Sequence, residues 1–489
     1  MNGYYAFFIL PKFGGIALEN QQLEKRYGLF TAICMVVGAV IGSGVFFKAQ
    51  DILNYTGGNM LLGITAWIIG GTVMILCVLT FANMAANCVK VNGVVDYAQM
   101  AVGGRFAYGL GWYLSCIYYP TLTAVLSWVS AKYTLIIFGV KDASGGLCMT
   151  LAGLYMCLAF AVNTLSPVIA GKVQVSTTVI KLIPLVFMAT IGTVLGLING
   201  NTAEAFVSGM NENASFESVF AAVTAASFAY EGWILATAIN AELKNANRNL
   251  PIALSIGAVI IISVYIAYFI GLVGDASVEV LRAEGAAAAF RNIFGKVGGN
   301  ILNSFIAISC LGTLNGNMLA CTRGFYSLAV RGEGPAPKIF SRIDRITKMP
   351  VNSAVIALFI SSLWLFFFYG AKLSDRNFLG VFAFDSSELP VISIYGFYIP
   401  IFIVFALKND KKHIFKNKVM PVLAAVSSLF MVFAAFYAHG VVPFKQAAEK
   451  GEFSFPALFY LIFFAAIMLI GYLLRGGIKP VHNLFKKQL

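Results

Sequence analysis

Three glycines lie in the middle of the first long apolar run of the chain. The run covers 29–52, long enough to cross a bilayer, and its centre at 38–47 reads GAVIGSGVFF. Glycine weakens a helix interior, and backbone that leaves the helix inside hydrocarbon must be buried in protein or line a cavity. The glycines therefore either allow close packing of helices or mark a break whose free amide groups bind a ligand.

A break at this place would have a defined chemistry. The amides of Ser43, Gly44 and Val45 would form the positive end of a second half-helix. Free N–H donors at such an end favour a carboxylate.

The sixth apolar run carries a second interruption, FAYEGW at 228–233. Glu231 within it costs at least about 3 kcal/mol at mid-membrane unless it faces protein or water. Carbonyls of Phe228, Ala229 and Glu231 could accept from an ammonium group. A site that offers both amide donors for a carboxylate and carbonyl acceptors for an ammonium suits an α-amino acid. Two breaks at matching positions of antiparallel halves indicate an inverted-repeat secondary transporter.

Three aromatic residues surround the second break. We predict that Phe228, Tyr230 and Trp233 take part in gating. For Phe228 and Trp233 the alternative is that the rings simply pack in the core.

Lys181 lies within the fifth apolar run. It either snorkels to water or has a partner inside the protein. A cation there could replace a sodium ion and brace the broken first span against the eighth.

Asp385 and Glu388 are three residues apart in the tenth run, which predicts one helical face and a shared proton or an outer gate. The alternative is a re-entrant loop open to water. Arg323 and Glu242 could form an inner gate, or an ordinary ion pair near the headgroups.

Composition predicts an all-α polytopic membrane protein. The chain has 489 residues, of which 59% are hydrophobic and 11% charged, and its mean hydropathy is +0.82. Long continuous runs exclude a transmembrane barrel, which would alternate. The net charge of +13 comes from basic residues in alternate loops, so no nucleic-acid partner is expected. The expected partner of the chain is the lipid bilayer. The cysteine spacings suggest no metal site.

Apolar runs predict twelve spans, at about 29–52, 60–87, 105–138, 147–166, 173–198, 217–242, 251–274, 300–330, 351–370, 378–407, 421–440 and 455–475. Most basic residues fall on one side if both termini are cytoplasmic, as the positive-inside rule requires. We therefore expect a multi-pass protein of the plasma membrane, with cytoplasmic segments at 1–28 and 476–489.

Several motifs resemble the L-type amino acid transporters, prokaryotic branch, of the amino acid–polyamine–organocation superfamily. These are GAVIGSGVF, FAYEGW, AELKNANRNLPIAL and, in span eight, SCLGTLNGNMLACTRGFYSLAVRGEGPAP. The similarity runs from about Leu23 to the end of span eight and more loosely through span twelve.

The resemblance implies a LeuT-type fold, a five-plus-five inverted repeat at 29–198 and 217–407 with helices 1 and 6 unwound, followed by two further helices at 421–475. It also implies a role for Lys181 in place of sodium. The substrate contacts that it implies are Ile41, Ser43, Gly44, Phe228, Ala229 and Gly232.

The chain departs from the family in three places. Position 231, often small or aspartate, is glutamate, which could bind a cationic substrate, carry a proton, or be a paired structural acid. An acidic residue common near the end of span two is Asn83. The loop GVKDASGG at 139–146 has no cysteine for tethering a partner glycoprotein, so no disulfide-linked heavy subunit is expected.

These observations predict a secondary active transporter of amino acids, a sodium-independent exchanger working by alternating access without a cofactor. The alternative is a proton-coupled symporter of amino acids or of amines such as polyamines. A channel or non-transporting receptor is disfavoured because no pore-lining repeat or selectivity loop is evident. An enzyme is disfavoured because the three histidines lie in loops or at span ends.

Overall fold

The computed structural model describes residues 25–42, 44–87, 93–140, 145–208, 216–373, 379–408 and 413–476. Every structural statement below concerns these residues. Ser43, both terminal segments and the centre of the 139–146 loop lie outside them.

The described chain is helical almost throughout. The first helices are α1 Leu29–Val40, α2 Gly44–Tyr55, α3 Met60–Asn87, α4 Val94–Ala101, α5 Gly104–Tyr113, α6 Tyr119–Ile137, α7 Gly146–Leu165, α8 Pro167–Phe187, α9 Thr193–Asn199, α10 Asn201–Ser208 and α11 Phe216–Ala229. The others are α12 Ala246–Leu272, α13 Val278–Glu284, α14 Ala286–Phe294, α15 Lys296–Ala329, α16 Pro337–Phe340, α17 Val351–Phe368, α18 Pro390–Lys408, α19 Met420–Phe436, α20 Val442–Glu449 and α21 Pro456–Leu474.

Eleven helical segments of the described chain are long and apolar enough to cross a membrane. They correspond to all the predicted spans except the third. The third coincides with a helical path in which the π-helix Leu114–Tyr118 joins α5 to α6. That path is rich in Tyr, Ser and Thr, which lowers its hydropathy. The count of twelve spans therefore stays a prediction.

The first span consists of two helices. Helix α1 ends at Val40, and Ile41 has an extended conformation, with φ −71° and ψ 94°. Helix α2 begins at Gly44. A Cβ atom at Gly44 would lie 3.2 Å from the Cα of Ala229 at the end of α11. Glycine at position 44 therefore allows the backbones of α2 and α11 to come into contact.

The sixth span changes its winding at the FAYEGW motif. Helix α11 ends at Ala229, and a 3₁₀-helix runs from Trp233 to Glu242. Between them Gly232 has φ 107°, a backbone conformation that residues other than glycine rarely adopt. A Cβ atom there would lie 2.7 Å from the carbonyl oxygen of Ala39. The motif therefore needs glycine both for its turn and for its contact with α1.

The start of the tenth span differs from the prediction. Helix α18 begins at Pro390, not near residue 378, and 383–389 are not helical. The carboxylate of Asp385 accepts the Ser387 backbone N–H at 2.8 Å, a local turn that competes with a helix. The prediction that Asp385 and Glu388 share a helical face is therefore wrong.

The end of helix α12 and Gly274 approach the segment after α8 backbone to backbone. A Cβ atom on Gly274 would lie 1.7 Å from the Gly192 carbonyl oxygen, and one on Gly271 would lie 2.1 Å from the Met188 carbonyl oxygen. Met188 and Gly192 are the first and last residues of a π-helix. The glycines allow an approach that any side chain would prevent.

Candidate functional site

The ammonium of Lys181 binds the end of the first half-helix. Its Nζ lies 2.6 Å from the Gly38 carbonyl oxygen, 2.5 Å from that of Ile41 and 3.0 Å from Oγ1 of Thr313. The lysine is fully buried, with 0% of its surface exposed. Its three donors thus satisfy carbonyls that the break in the first span leaves open.

Small and hydroxylated residues hold Lys181 in place. A Cβ atom at Gly38 would lie 2.1 Å from Oγ1 of Thr178, so α1 and α8 meet closely at this glycine. Thr178 donates to the Cys34 carbonyl oxygen at 3.0 Å. From the other side, Thr313 on α15 lies within 3.1 Å of the Gly38 carbonyl oxygen. The lysine therefore joins three spans, one, five and eight.

Tyr265 connects the two breaks, and sequence reasoning missed it. Its hydroxyl oxygen lies 3.0 Å from the Ala229 carbonyl oxygen and 3.2 Å from that of Val40. A tyrosine hydroxyl has one proton, so it donates fully to only one of the two at a time. The only signal in the sequence was a tyrosine within an apolar run, which is common and therefore weak, although a tyrosine hydroxyl that becomes buried usually has a partner.

The predicted substrate residues meet at this junction. The Ile41 carbonyl binds Lys181, and the Ala229 carbonyl accepts from Tyr265. The Phe228 carbonyl accepts the backbone N–H of Glu231 at 3.1 Å. The Phe228 and Ala229 oxygens each keep a second lone pair for a further donor, whereas the Ile41 oxygen also lies 3.3 Å from Oγ1 of Thr313 and 3.4 Å from Oγ of Ser309. Val45 is buried in the core next to Gly44, whereas Ser43 lies outside the described residues.

Glu231 points into a group of tyrosines. Its Oε2 accepts from the Tyr118 hydroxyl at 2.8 Å, and the Tyr395 hydroxyl interacts with the same carboxylate. Tyr118 lies in the π-helix of the third span, and π-helical turns frequently occur at functional sites. The sequence predicted a role for the acid but not for these tyrosines.

Two predicted gating residues pack in the aromatic core. Tyr230 lies between Trp67 and Tyr265, with ring centroids 5.6 and 5.1 Å away. Trp233 packs against Phe81 at 5.7 Å. Both residues are 1% exposed. A gating role for them stays a prediction.

A charged cluster at one end of the bundle includes Glu388. Its Oε1 lies 2.6 Å from the Lys48 ammonium, and its Oε2 lies 3.0 Å from Nε2 of His439. The Lys48 ammonium also lies 2.9 Å from Asp51 and 5.2 Å from the centre of the Phe228 ring. This cluster connects α2, the start of α18, the end of the eleventh span and the half-buried Phe228. Lys48 and His439 were not singled out from the sequence.

The opposite end of the bundle is closed by Arg323 and Glu242. Nε of Arg323 lies 2.6 Å from Oε1 of Glu242, and both side chains are buried. The Tyr27 backbone N–H donates to the Glu242 carbonyl oxygen at 3.0 Å. Burial raises the pKa of Tyr27 to about 12, so its hydroxyl stays neutral and donates to the Pro167 carbonyl oxygen at 3.0 Å. The predicted ion pair is thus formed.

Residues 27–471 match the sequence model of the family described as "Amino acid permease". Among curated proteins, the chain is 28% identical to the serine/threonine exchanger SteT of Bacillus subtilis (strain 168), over 85% of this chain and 92% of that protein. It is 28% identical to the b(0,+)-type amino acid transporter 1 of Homo sapiens, over 85% of this chain and 83% of the relative.

The cystine/glutamate transporter of Homo sapiens is 25% identical, over 86% of this chain and 82% of that protein. Among solved structures, MhsT in complex with L-phenylalanine superposes with a TM-score of 0.57 and 15% identity, covering 85% of this chain and 100% of that one. At this identity the superposition shows the fold alone, an all-helical LeuT-like arrangement.

Proposed function

The chain belongs to the amino acid permease family, and from this premise we propose that it is a sodium-independent exchanger of amino acids. Like its relatives, it is a multi-pass membrane transporter and not an enzyme. One relative is named a serine/threonine exchanger, which supports exchange as the mode of transport.

The position of Lys181 is the observation that carries this proposal. Carbonyl oxygens at the end of a broken span are the groups that bind sodium in transporters of this architecture. Here the Gly38 and Ile41 carbonyls bind a covalently attached ammonium instead. A fixed cation cannot cross the membrane, so no sodium gradient is used. Without a coupling ion, uphill movement of one amino acid requires downhill movement of another.

The transport cycle is one of alternating access. The substrate binds where α1, α2 and α11 meet, with its carboxylate toward the amides of 43–45 and its ammonium toward the carbonyls of the breaks. The Lys48–Glu388 contact closes one end, and the Arg323–Glu242 contact closes the other. The two contacts break alternately, so that one end of the bundle is open while the other is closed.

The arrangement in the membrane follows the same reasoning. Residues 29–198 and 217–407 form the two inverted repeats, with spans one and six unwound at mid-membrane, and 421–475 add two helices. Both termini are cytoplasmic in the plasma membrane, because basic residues cluster in the loops on that side. The chain works without a disulfide-linked heavy subunit, since 139–146 offer no cysteine.

Proton-coupled symport is the second candidate. It is favoured by the burial of Glu231, a carboxylate in the break itself, and by the contact of Glu388 with His439. Either acid could carry a proton through the cycle. Symport predicts uptake into vesicles that contain no amino acid, whereas exchange does not.

Uptake of labelled serine into proteoliposomes distinguishes the two. We expect uptake only when the vesicles contain an amino acid, at the same rate in sodium and in choline chloride. Uptake into empty vesicles driven by a proton gradient would establish symport. Uptake that requires sodium would contradict the role assigned to Lys181.

A further inference from the structure

A basic cleft lies where the chain enters the first span and where the seventh span begins. It has a volume of about 510 Å³ and is lined by Lys25, Asn245, Ala246, Asn247 and Arg248. This volume is in the range of small-ligand sites. Lys25 and Arg248 are exposed, and neither has a carboxylate partner among the described residues. The cleft therefore offers two positive charges that the described part of the chain does not neutralise.

Backbone hydrogen bonds hold the two walls of the cleft together. The Tyr27 N–H donates to the Glu242 carbonyl oxygen at 3.0 Å, and the Lys244 N–H donates to the Tyr27 carbonyl oxygen at 2.9 Å. Lys25 lies just before the first of these strands of chain, and Arg248 lies just after the second. The fold thus fixes two cations that are distant in sequence on either side of one opening.

The start of helix α12 adds hydrogen-bond donors to the cleft. The first amides of a helix have no acceptor within it, and here they belong to Ala246 and Asn247. Asn245, the residue before the helix, provides no side-chain cap. The positive end of a 27-residue helix therefore opens into the cleft beside Arg248. Amide donors next to a guanidinium group suit a phosphate.

Arg248 lies on a face of α12 that is exposed to lipid farther along the helix. Val259, an apolar residue of the same membrane span, is 55% exposed. It follows Arg248 by about three helical turns, so the two side chains share a face. At about 1.5 Å per residue they are about 16 Å apart along the axis, close to the hydrocarbon depth of one leaflet, about 15 Å. A lipid whose acyl chain reaches Val259 would therefore have its headgroup beside Arg248.

We propose that this cleft binds the headgroup of an anionic phospholipid, with the phosphate between Lys25, Arg248 and the first amides of α12. A zwitterionic headgroup brings its own cation into the cleft and so gains less from the two basic side chains. A free phosphate would use the same donors but not the apolar face that leads to Val259. Both the charge of the headgroup and its attachment to acyl chains therefore set the preference.

The first test compares two lipids on the purified full chain in detergent. Phosphatidylglycerol or phosphatidylcholine is added at increasing mole fraction, and the midpoint of thermal unfolding is measured. We expect phosphatidylglycerol to reach half of its effect at a mole fraction about tenfold or more below that of phosphatidylcholine. Each basic side chain near an anionic lipid contributes about fivefold in affinity, and the cleft has two. Equal effects of the two lipids would overturn the site.

Soluble anions separate a lipid from a free phosphate. Inorganic phosphate and glycerol phosphate present the same group without acyl chains, and chloride at equal ionic strength is the control. We expect neither phosphate to raise the midpoint of unfolding more than chloride does at millimolar concentration. A rise as large as that with phosphatidylglycerol would assign the cleft to a free phosphate and overturn the lipid.

A matched pair of double variants locates the lipid. Lys25→Gln with Arg248→Gln removes both charges of the cleft, and we expect it to respond equally to the two lipids. Lys338→Gln with Arg345→Gln is the control, because both residues are exposed cations between α15 and α17, outside the cleft. The control should keep the wild-type preference for phosphatidylglycerol. A cleft variant that also keeps it would overturn the assignment.

Two further outcomes are decisive. If the cleft variant does not fold, the wild-type comparison of the two lipids and the soluble anions still decides. If the wild type shows no preference for phosphatidylglycerol but a variant lacking residues 1–24 does, the N-terminal segment is the occupant of the cleft and the proposal fails. All of these readouts concern binding to the purified protein, so they hold whichever mode of transport the exchange experiments establish.

Discussion

In the proposed exchange cycle, the Lys181 side chain takes the place of a bound sodium ion. Its ammonium contacts two carbonyl oxygens and one hydroxyl, contributed by spans one and eight. A dissociable ion would leave this place in every cycle, whereas the lysine stays. In the proposed cycle the carbonyls at the helix break therefore keep a cationic donor without a coupling ion.

Lys181→Ala should reduce exchange about tenfold or more, because charge-assisted hydrogen bonds contribute about 1.5–3 kcal/mol each and two carbonyls lose their cationic donor, keeping only hydroxyl donors such as Thr313. The initial rate of serine exchange measures this, and size-exclusion chromatography checks that the variant is folded. Lys172→Ala is the control, since Lys172 lies on the same helix but is exposed. A folded Lys181→Ala with wild-type exchange would remove the lysine from the mechanism.

Tyr265→Phe should raise the KM for serine about fivefold, because a single hydrogen bond of about 1 kcal/mol orients the carbonyls at the two breaks. The matched control is Tyr268→Phe on the same helix. Tyr268 is also fully buried, but its hydroxyl has no partner among the described residues. Concentration-dependent exchange rates measure both variants. Equal KM values for the two would show that Tyr265 only packs.

Residue types revealed part of this site in the sequence. Lys181 and Glu231 stood out because charges are costly in apolar runs, and the glycines stood out because they interrupt helices. The sequence did not single out Tyr265, Tyr395 or His439. A tyrosine within a span and a histidine near a span end are both common in membrane proteins. Their importance depends on which carbonyl or carboxylate the fold brings beside them.

At the scale of elements, the turn before α18 places Glu388. Asp385 bonds the backbone of Ser387, and Glu388 faces Lys48 and His439. Hydropathy alone could not predict this, because it extends a span through any apolar stretch, and FAF at 382–384 is apolar. The local turn of Asp385 and the proline at 390 determine where the helix begins.

Glu388→Gln should raise the KM for external serine about fivefold, since the partly buried contact with Lys48 favours closure over bound substrate. Asp51→Asn, which removes the other partner of Lys48, is the control. Asp51 is 40% exposed, so its pair with Lys48 should contribute little. Exchange measured with serine varied only outside tests both. The role in closure is contradicted if Glu388→Gln has the wild-type external KM.

For the whole molecule, hydropathy predicted the helical class and the positions of eleven spans, apart from the start of the tenth. Apolar runs of sufficient length cross a bilayer whatever their packing, so their positions follow from composition. Packing between spans does not follow from composition. It depends on contacts such as that of Arg323 with Glu242, which lie 81 residues apart in the chain.

Arg323→Met should lower the free energy of unfolding by about 3–5 kcal/mol, because it leaves Glu242 charged and buried. The double variant Arg323→Met with Glu242→Leu should recover much of that loss, since no lone charge remains. Thermal unfolding of the purified protein gives the order of stability. A double variant no more stable than the single one would show that packing, and not the charge, accounts for the effect.

The backbone contact of Gly271 and Gly274 with Met188 and Gly192 has a mechanical consequence. Interlocked side chains resist sliding, because each must leave one gap before it enters the next. Two bare backbones present a smooth surface with little to disengage. We therefore expect the fifth and seventh spans to slide past each other more easily here than where side chains interlock, and a methyl group added at Gly271 or Gly274 to hinder that movement.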